Sequence, residues 1–280
     1  MADTGKAGAD PGFAPAKINL ALHVTGQRGD GLHLLDSLVA FADVGDHLTA
    51  QTADKASVTV TGPRARGVPT DDSNLVLKAA AWIGGTARFT LSKHLPAAAG
   101  IGGGSSDAAA ALRLLAAQSG QPIPPGAEAL GADIPVCLVG RAARMRGIGE
   151  VLEPVKLPPL PTLLVNPGVA VPTGQVFANL ASKINPPMPD RIPRFAEARD
   201  AAIWLTEQRN DLQYPAITLA PVIGETLGQM SGLPGALLAR MSGSGATCFA
   251  LFANPDQAER AEAILRAKHP DWWSVATTLT

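Results

Sequence analysis

The sequence has few of the residues that disulfide-bonded and metal-binding proteins depend on. Its two cysteines, Cys137 and Cys248, stand far apart in apolar stretches. That placement argues against a disulfide framework and favours buried thiols in a reducing compartment. The five histidines never pair with each other or with cysteine at metal-ligand spacing, so the sequence predicts no metal site built by the protein.

Neither sign of charge is in excess, and long apolar runs are absent. Lys and Arg number 23 and Asp and Glu 24, so there is no basic surplus to hold nucleic acid. No stretch of about 18 apolar residues suggests a membrane-spanning helix. The first ten residues include Asp3, Lys6 and Asp10, which fit neither a secretory signal nor an anchor. We expect a cytoplasmic protein with no nucleic-acid or membrane partner.

The order of apolar patterns predicts an α+β protein with two domains, which 280 residues can build. Alternating residues predict a half-buried strand at 17–23, and further strand patterns follow at 37–41, 47–52, 57–61 and 87–92. Helical patterns are expected at 74–82, after the capping run Asp71–Ser73, and at 255–268. A proline-rich change of composition near Lys156 marks a boundary between domains 1–157 and 158–280. Beyond it, strands pairing around two helices on one side predict a ferredoxin-like arrangement, and residues 183–194 are expected to form a surface loop.

A glycine-rich segment joins the strand at 87–92 to a predicted helix. Residues 95–107 read Leu-Pro-Ala-Ala-Ala-Gly-Ile-Gly-Gly-Gly-Ser-Ser-Asp. Glycines let main-chain amides approach a ligand closely, and the first N–H groups of the helix and its dipole attract an anion. Ser105, Ser106 and Asp107 are expected to cap the helix. The segment therefore predicts a phosphate site, with a turn that binds nothing as the alternative.

Two charged residues in apolar surroundings are candidates for phosphoryl-transfer chemistry. Asp133 precedes Ile134-Pro135-Val136 in an uncharged stretch, where a carboxylate is costly to bury without a partner or a task. Lys17 lies on an otherwise apolar strand and shares a face with Asn19. Each also has a structural interpretation, since Asp133 could cap a turn and Lys17 could extend to solvent. A second glycine turn, residues 242–246, is by itself typical of an ordinary hairpin.

Together these motifs resemble the GHMP kinases, the superfamily of galactokinase, homoserine kinase and mevalonate kinase. Residues 96–106 resemble its phosphate-binding loop. Further blocks narrow the resemblance to the branch that phosphorylates a cytidyl diphosphate alcohol on the non-mevalonate route to isoprenoid precursors. Those blocks, which follow the family's order along nearly the whole chain, are Pro15–Leu20, Gly26–His33, Gly131–Val136, Pro167-Gly168, Pro172-Thr173 and Asn210–Leu212.

The resemblance implies a ribosomal-protein-S5-like N-terminal domain, a ferredoxin-like C-terminal domain, and the use of ATP and Mg²⁺. It makes Asp133 the general base and Lys17 the cation beside it. It places the ATP phosphates on a loop formed by Pro96, Ala97, Ala98, Ala99, Gly100, Ile101, Gly102, Gly103, Gly104, Ser105 and Ser106. Its substrate-side positions are Asn19, His33, Thr173, Phe177 and Gly243, with His33 facing the cytosine edge and Phe177 stacking on the ring.

The sequence departs from the family at three points. Leu32 stands where a tyrosine often sandwiches the cytosine, Ala97–Ala99 replaces a more glycine-rich run, and Asp107 stands where asparagine is frequent. The resemblance implies a small-molecule substrate and a monomer or weak homodimer. The rival hypotheses are another GHMP kinase with a homoserine or mevalonate-type acceptor, a silent nucleotide-binding homologue, and a nucleic-acid-binding protein, which the balanced charge disfavours.

Overall fold

The computed structural model describes residues 10–280, so the expectation for the first ten residues lies outside the described range except at Asp10. The fold is α+β, as predicted. The strands are β1 Phe13–Gln27, β2 His33–Thr52, β3 Ser57–Thr61, β4 Ala87–Ser92, β5 Ala143–Gly147, β6 Val151–Pro154, β7 Leu160–Asn166, β8 Leu238–Met241, β9 Cys248–Leu251 and β10 Trp273–Leu279. The helices are α1 Leu75–Ile83, α2 Gly103–Ser119, α3 Ile134–Val139, α4 Thr173–Ala178, α5 Ala198–Thr206, α6 Gln213–Leu219, α7 Val222–Ser231 and α8 Pro255–Lys268.

One compact unit contains the segment ending at Lys17 together with residues 43–97 and 102–141. In its sheet, residues 47–52 of β2 pair antiparallel with β4, and β4 pairs parallel with β3. Helices α1 and α2 contribute many alanines to the core of this unit, which also holds Phe89 and Leu112. Small side chains let helices approach closely, so the alanine-rich composition here serves packing.

The second unit contains residues 18–42, 98–101 and 142–280. Its sheet has the antiparallel order β10-β7-β9-β8. Along the chain these strands alternate with α7 and α8 as β7-α7-β8-β9-α8-β10, with α4, α5 and α6 inserted between β7 and α7, so the predicted ferredoxin-like arrangement is confirmed. Phe249 and Phe252 are fully buried in this unit. Residues 35–39 of β2 pair with β5, which pairs with β6.

Several expectations about the strands were wrong. β2 is one continuous strand, although Gly45 lies between the two strands predicted there. A Cβ on Gly45 would lie 2.3 Å from the carbonyl oxygen of Ala14, so this glycine allows a close approach of backbones instead of ending the strand. β1 is longer than 17–23 and is buried on both faces, with Lys17 3% and Asn19 1% exposed. The alternation of side chains therefore did not indicate a solvent-facing side.

The two units do not follow the predicted boundary near residue 157, because β1 and β2 each contribute residues to both of them. The division into domains 1–157 and 158–280 therefore stays a prediction. Within residues 10–280, none of the helices combines the length and apolar character that crossing a membrane requires.

Residues 183–194 lack helix and strand and are mostly exposed, as predicted for a surface loop, and they are anchored to a buried ion pair. Arg144 donates two hydrogen bonds of 2.7 Å to Asp36, one to each carboxylate oxygen. The same guanidinium donates to the carbonyls of Met188, Pro189 and Asp190, and Asp36 accepts from the N–H of Met188. The anchor itself was not foreseen, because it comes from residues far away in the sequence. Met188 is the buried residue of the loop, at 1% exposed.

Candidate functional site

Lys17 and Asp133 form an ion pair in the first unit. Lys17 extends from β1, and Asp133 occupies the N-cap position of α3; Nζ and Oδ2 are 3.0 Å apart. The lysine side chain is 4% exposed and that of Asp133 is 30% exposed. The structural interpretations do not hold, because Asp133 makes no side-chain cap bond and Lys17 does not extend to solvent. Lys17 is therefore the buried member of the pair. Asp133 is partly exposed, so solvent, and with it a substrate, can reach its carboxylate.

The glycine segment begins α2 beside this ion pair. Gly102 is the N-cap of α2, in the left-handed conformation with φ 64°, and no side chain caps the helix. A Cβ on Gly102 would lie 3.2 Å from Lys17 Cβ and Cε and 3.9 Å from Asp133 Oδ2. An L-residue here would be strained and crowded against the lysine. The first turn of α2 is thus held against Lys17 with its N–H groups uncapped by any side chain.

The prediction that Ser105, Ser106 and Asp107 cap α2 was wrong. The helix begins earlier, at Gly103, so all three residues lie inside it. Ser106 Oγ donates instead to the carbonyl of Pro15, at 2.7 Å, and Asp107 pairs with Lys93. Ser and Asp are common N-cap residues, so the sequence favoured them as caps. It could not reveal that the N-cap would be a glycine in the left-handed conformation, which has no side chain.

Part of the glycine segment belongs to the second unit, where residues 98–101 contact the turn at 242–246. The carbonyl of Gly100 accepts a 3.0 Å hydrogen bond from Ser242 Oγ, and the Thr247 N–H donates to the Ala99 carbonyl. Gly100 has φ 73°, and a Cβ there would lie 2.5 Å from the Ser242 carbonyl oxygen. The turn is therefore more than a hairpin connection, since it fixes the middle of the segment.

Three of the predicted substrate-side residues lie in this turn or next to it. The Asn19 N–H donates to Ser242 Oγ at 3.0 Å, and a Cβ on Gly243 would lie 3.4 Å from Asn19 Oδ1. Thr173 Oγ1 and Ser244 Oγ are 2.8 Å apart. Asn210, which was not singled out as a site residue, donates to the Gly243 carbonyl at 2.9 Å. The only sequence signal for it was its place in one of the resemblance blocks.

The other two predicted substrate-side residues, His33 and Phe177, contact each other in the second unit. Their rings stack with centroids 4.5 Å apart and an interplanar angle of 26°. His33 Nε2 is buried and accepts no hydrogen bond within the described residues. Burial, and secondarily the charge of Lys183, lowers the pKa of His33, so the ring is neutral at pH 7.

Ala98 is the one non-glycine residue with positive φ in residues 10–280, at 49°. It lies in the run where the sequence departs from the family's glycines. The left-handed conformation costs a non-glycine residue about 1–2 kcal/mol, so alanine is strained at this position.

We expect Ala98→Gly to raise the free energy of unfolding by about 0.5–1 kcal/mol, because relief of the strain exceeds the extra entropy of glycine in the unfolded chain. The shift of the urea midpoint measures it. Ala97→Gly is the control and should lower the midpoint, since Ala97 has no positive φ. Equal decreases in both variants would contradict the strain at Ala98.

A buried cluster that sequence reasoning missed lies under the first turns of α2. Lys93 donates to the carboxylates of Asp46 and Asp107, the latter at 2.8 Å. The three side chains are at most 5% exposed. Asp46, Lys93 and Asp107 come from β2, the residue after β4, and α2, so no local pattern indicated that they meet.

Comparison with known proteins places the chain among kinases. The model of the GHMP kinases N terminal domain matches residues 74–141, and that of the GHMP kinases C terminal matches residues 193–271. A 4-diphosphocytidyl-2-C-methyl-D-erythritol kinase of Dinoroseobacter shibae is 62% identical over 96% of this chain and 94% of its own length. One from Cereibacter sphaeroides is 57% identical over 93% and 96%. A crystal structure of 4-(cytidine 5'-diphospho)-2C-methyl-D-erythritol kinase, 37% identical, superimposes with a TM-score of 0.75 over 95% of this chain and 98% of that one.

Proposed function

The chain belongs to the 4-diphosphocytidyl-2-C-methyl-D-erythritol kinases of the GHMP superfamily, and we propose that it transfers the γ-phosphoryl group of ATP to the 2-hydroxyl of that cytidyl diphosphate alcohol. The observation that carries the proposal is the contact of Lys17 Nζ with Asp133 Oδ2 at 3.0 Å, beside the uncapped first turn of α2. A silent homologue would be expected to lack one of these two residues.

Asp133 acts as the general base in this proposal. It accepts the proton of the attacking hydroxyl while the new bond to phosphorus forms, and ADP leaves with the electron pair of the broken bond. Lys17 fixes the direction of the carboxylate and offers a positive charge to the transferred group. Both side chains are set by regular elements, β1 and the start of α3, which suits a reaction that depends mainly on positioning.

ATP binds through the main chain in this proposal. The segment Pro96–Ser106 contacts its phosphates, with the N–H groups at the start of α2 as the main donors. Gly100 and Gly102 allow the backbone conformation, both having positive φ. Mg²⁺ would be held mainly through the ATP phosphates and would supply positive charge to the transferred group. Among residues 10–280, no three His, Cys, Asp or Glu side chains lie together as a metal site.

The acceptor binds through the second unit in this proposal. Gly243 of the turn at 242–246, with Asn19 and Thr173 next to that turn, faces the alcohol and its phosphates. Phe177 stacks on the cytosine in place of the imidazole that now covers it, and His33 then meets the edge of the base. We further propose that the protein is cytoplasmic and forms a monomer or a weak homodimer. We also propose that it has no nucleic-acid partner, which the near-zero net charge supports.

Phosphoryl transfer from ATP to a series of alcohols tests the proposed function. ADP release is followed with the cytidyl diphosphate alcohol, homoserine and mevalonate, each with and without Mg²⁺. We expect turnover with the cytidyl substrate and Mg²⁺. Faster turnover of homoserine or mevalonate would instead favour another GHMP kinase, and ATP binding without turnover of any alcohol would favour the silent homologue.

We expect Phe177→Ala to raise the KM for the cytidyl substrate about tenfold, the size of one lost base–aromatic contact, and to leave the KM for ATP near its original value. Initial rates at varied concentrations of each substrate measure both constants. The matched control is Phe195→Ala, which removes a ring that packs on Trp204 at 5.7 Å. Equal changes in both KM values would count against cytosine stacking.

A further inference from the structure

The buried cluster of Asp46, Lys93 and Asp107 holds both ends of the segment Pro96–Ser106. Asp46 Oδ1 accepts hydrogen bonds from the N–H groups of His94 and Leu95, at 2.6 and 2.9 Å, directly before the segment. Asp107 directly follows the segment, and Lys93 Nζ joins its Oδ2 to Asp46 Oδ2. We call these three side chains the charge triad.

The charge triad holds two carboxylates and one ammonium group, so it carries one negative charge in excess when both acids are ionised. The two acids do not accept the same number of hydrogen bonds. Asp46 accepts from two N–H groups and from Lys93. Asp107 accepts from Lys93, but its Oδ1 is buried and has no hydrogen-bond partner. A buried oxygen without a donor disfavours the ionised form, so Asp107 is the acid that takes the proton.

The surroundings of Asp107 support this assignment. Burial raises its pKa to about 7; Lys93 lowers it and Asp46 raises it. The pKa of Lys93 is lowered by burial, but the two carboxylates outweigh that effect and raise it, so the amine stays charged. The helices packed on α2 add little net charge, because α1 carries only the exposed Lys78 and Asp133 at the start of α3 is paired with Lys17. Within α3 the one titratable group is Cys137, whose pKa burial raises to about 12.

We propose that Asp107 sets the charge under the phosphate-binding turn and that its neutral form is the one that binds ATP tightly. The inference rests on the proposed ATP site at the start of α2. Asp107 lies in the same helix as that first turn, and its carboxylate is held by Lys93, whose Nζ would be 3.7 Å from a Cβ on Gly103. An ionised Asp107 therefore opposes the phosphates, while a protonated one leaves the dipole of α2 to attract them.

The dissociation constant of ATP tests the proposal, measured by calorimetry with saturating Mg²⁺ and no acceptor between pH 6 and 9. For the unaltered protein we expect it to rise about two- to fivefold as the pH passes 7, the usual effect of one charge at a helix N-terminus. Asp107→Asn should bind ATP as tightly at pH 9 as at pH 6. Asp54→Asn, which neutralises an exposed carboxylate between β2 and β3, should keep the original profile.

A flat profile in the unaltered protein would overturn the proposal without any variant, and so would the original profile in Asp107→Asn. If that variant does not fold, the unaltered protein still decides. ATP binding at pH 7.5 should take up protons, seen as a difference in binding heat between buffers of unequal ionisation enthalpy, and no uptake would overturn the proposal. Failure of the proposed function is a separate result, because it is seen as missing turnover of the cytidyl substrate, whereas ATP binding alone decides the role of Asp107.

Discussion

Asp133→Asn is expected to lower kcat by about two orders of magnitude or more, the usual cost of losing a general base. The amide keeps the shape of the carboxylate but cannot take the proton of the attacking hydroxyl. The dissociation constant of ATP should change only a few-fold, because the phosphates are proposed to bind main-chain N–H groups at the start of α2, which the substitution leaves in place. Steady-state rates with the cytidyl substrate and calorimetry with ATP measure the two quantities.

Three further variants separate this role from a structural one. Glu128→Gln neutralises an exposed carboxylate in the 3₁₀ turn at Ala127–Ala129 and should keep the original kcat. Lys17→Met should lose nearly as much rate as Asp133→Asn, and the double variant little more than either, because residues that act as a unit are not additive. A purified, folded Asp133→Asn protein with the original turnover would rule out Asp133 as the base.

The elements that local chemistry determines were the predictable part of the fold. The strand Ala87–Ser92 and the helix Pro255–Lys268 match the expected bounds. Alternation of apolar and polar residues defines the strand. Asn254 caps the helix, because its side chain accepts a hydrogen bond from the Gln257 N–H. α1 begins at Leu75 with Asn74 as its cap, not with the run Asp71–Ser73 that we expected. Instead, the Asp71 carboxylate accepts hydrogen bonds from the N–H and the hydroxyl of Ser73. Residue types alone do not reveal this arrangement.

The candidate site was predictable where a single charged residue stands in an apolar stretch, because burying such a charge is costly. An isolated acid in the apolar stretch around Asp133 and an isolated amine on β1 indicated a task or a partner, and the structure shows a contact between them. The charge triad gave no such signal, because Asp46 and Lys93 lie among ordinary neighbours and Asp107 was expected only to cap the helix. The three meet only in the fold. Ser242 and Asn210 were missed for the same reason, since their hydrogen bonds to the glycine segment and the turn join distant residues.

The second large effect concerns stability. We expect Arg144→Leu to lower the free energy of unfolding by about 3–5 kcal/mol, the cost of leaving one member of a buried ion pair without the other. Asp36 is 2% exposed and would lose two of its donors. The carbonyls of Met188, Pro189 and Asp190 would also lose the guanidinium. Urea unfolding, followed by tryptophan fluorescence, measures the change.

Arg146→Leu is the matched control, because Arg146 lies on the same strand and pairs with Glu153 while 43% exposed. A surface pair of this kind contributes about 0–1 kcal/mol, so its loss should barely move the midpoint. The double variant Asp36→Leu/Arg144→Leu should recover part of the loss, since it removes the unpaired buried carboxylate. If Arg144→Leu costs no more than Arg146→Leu, the ion pair does not anchor residues 183–194, and their position depends on the burial of Met188 instead.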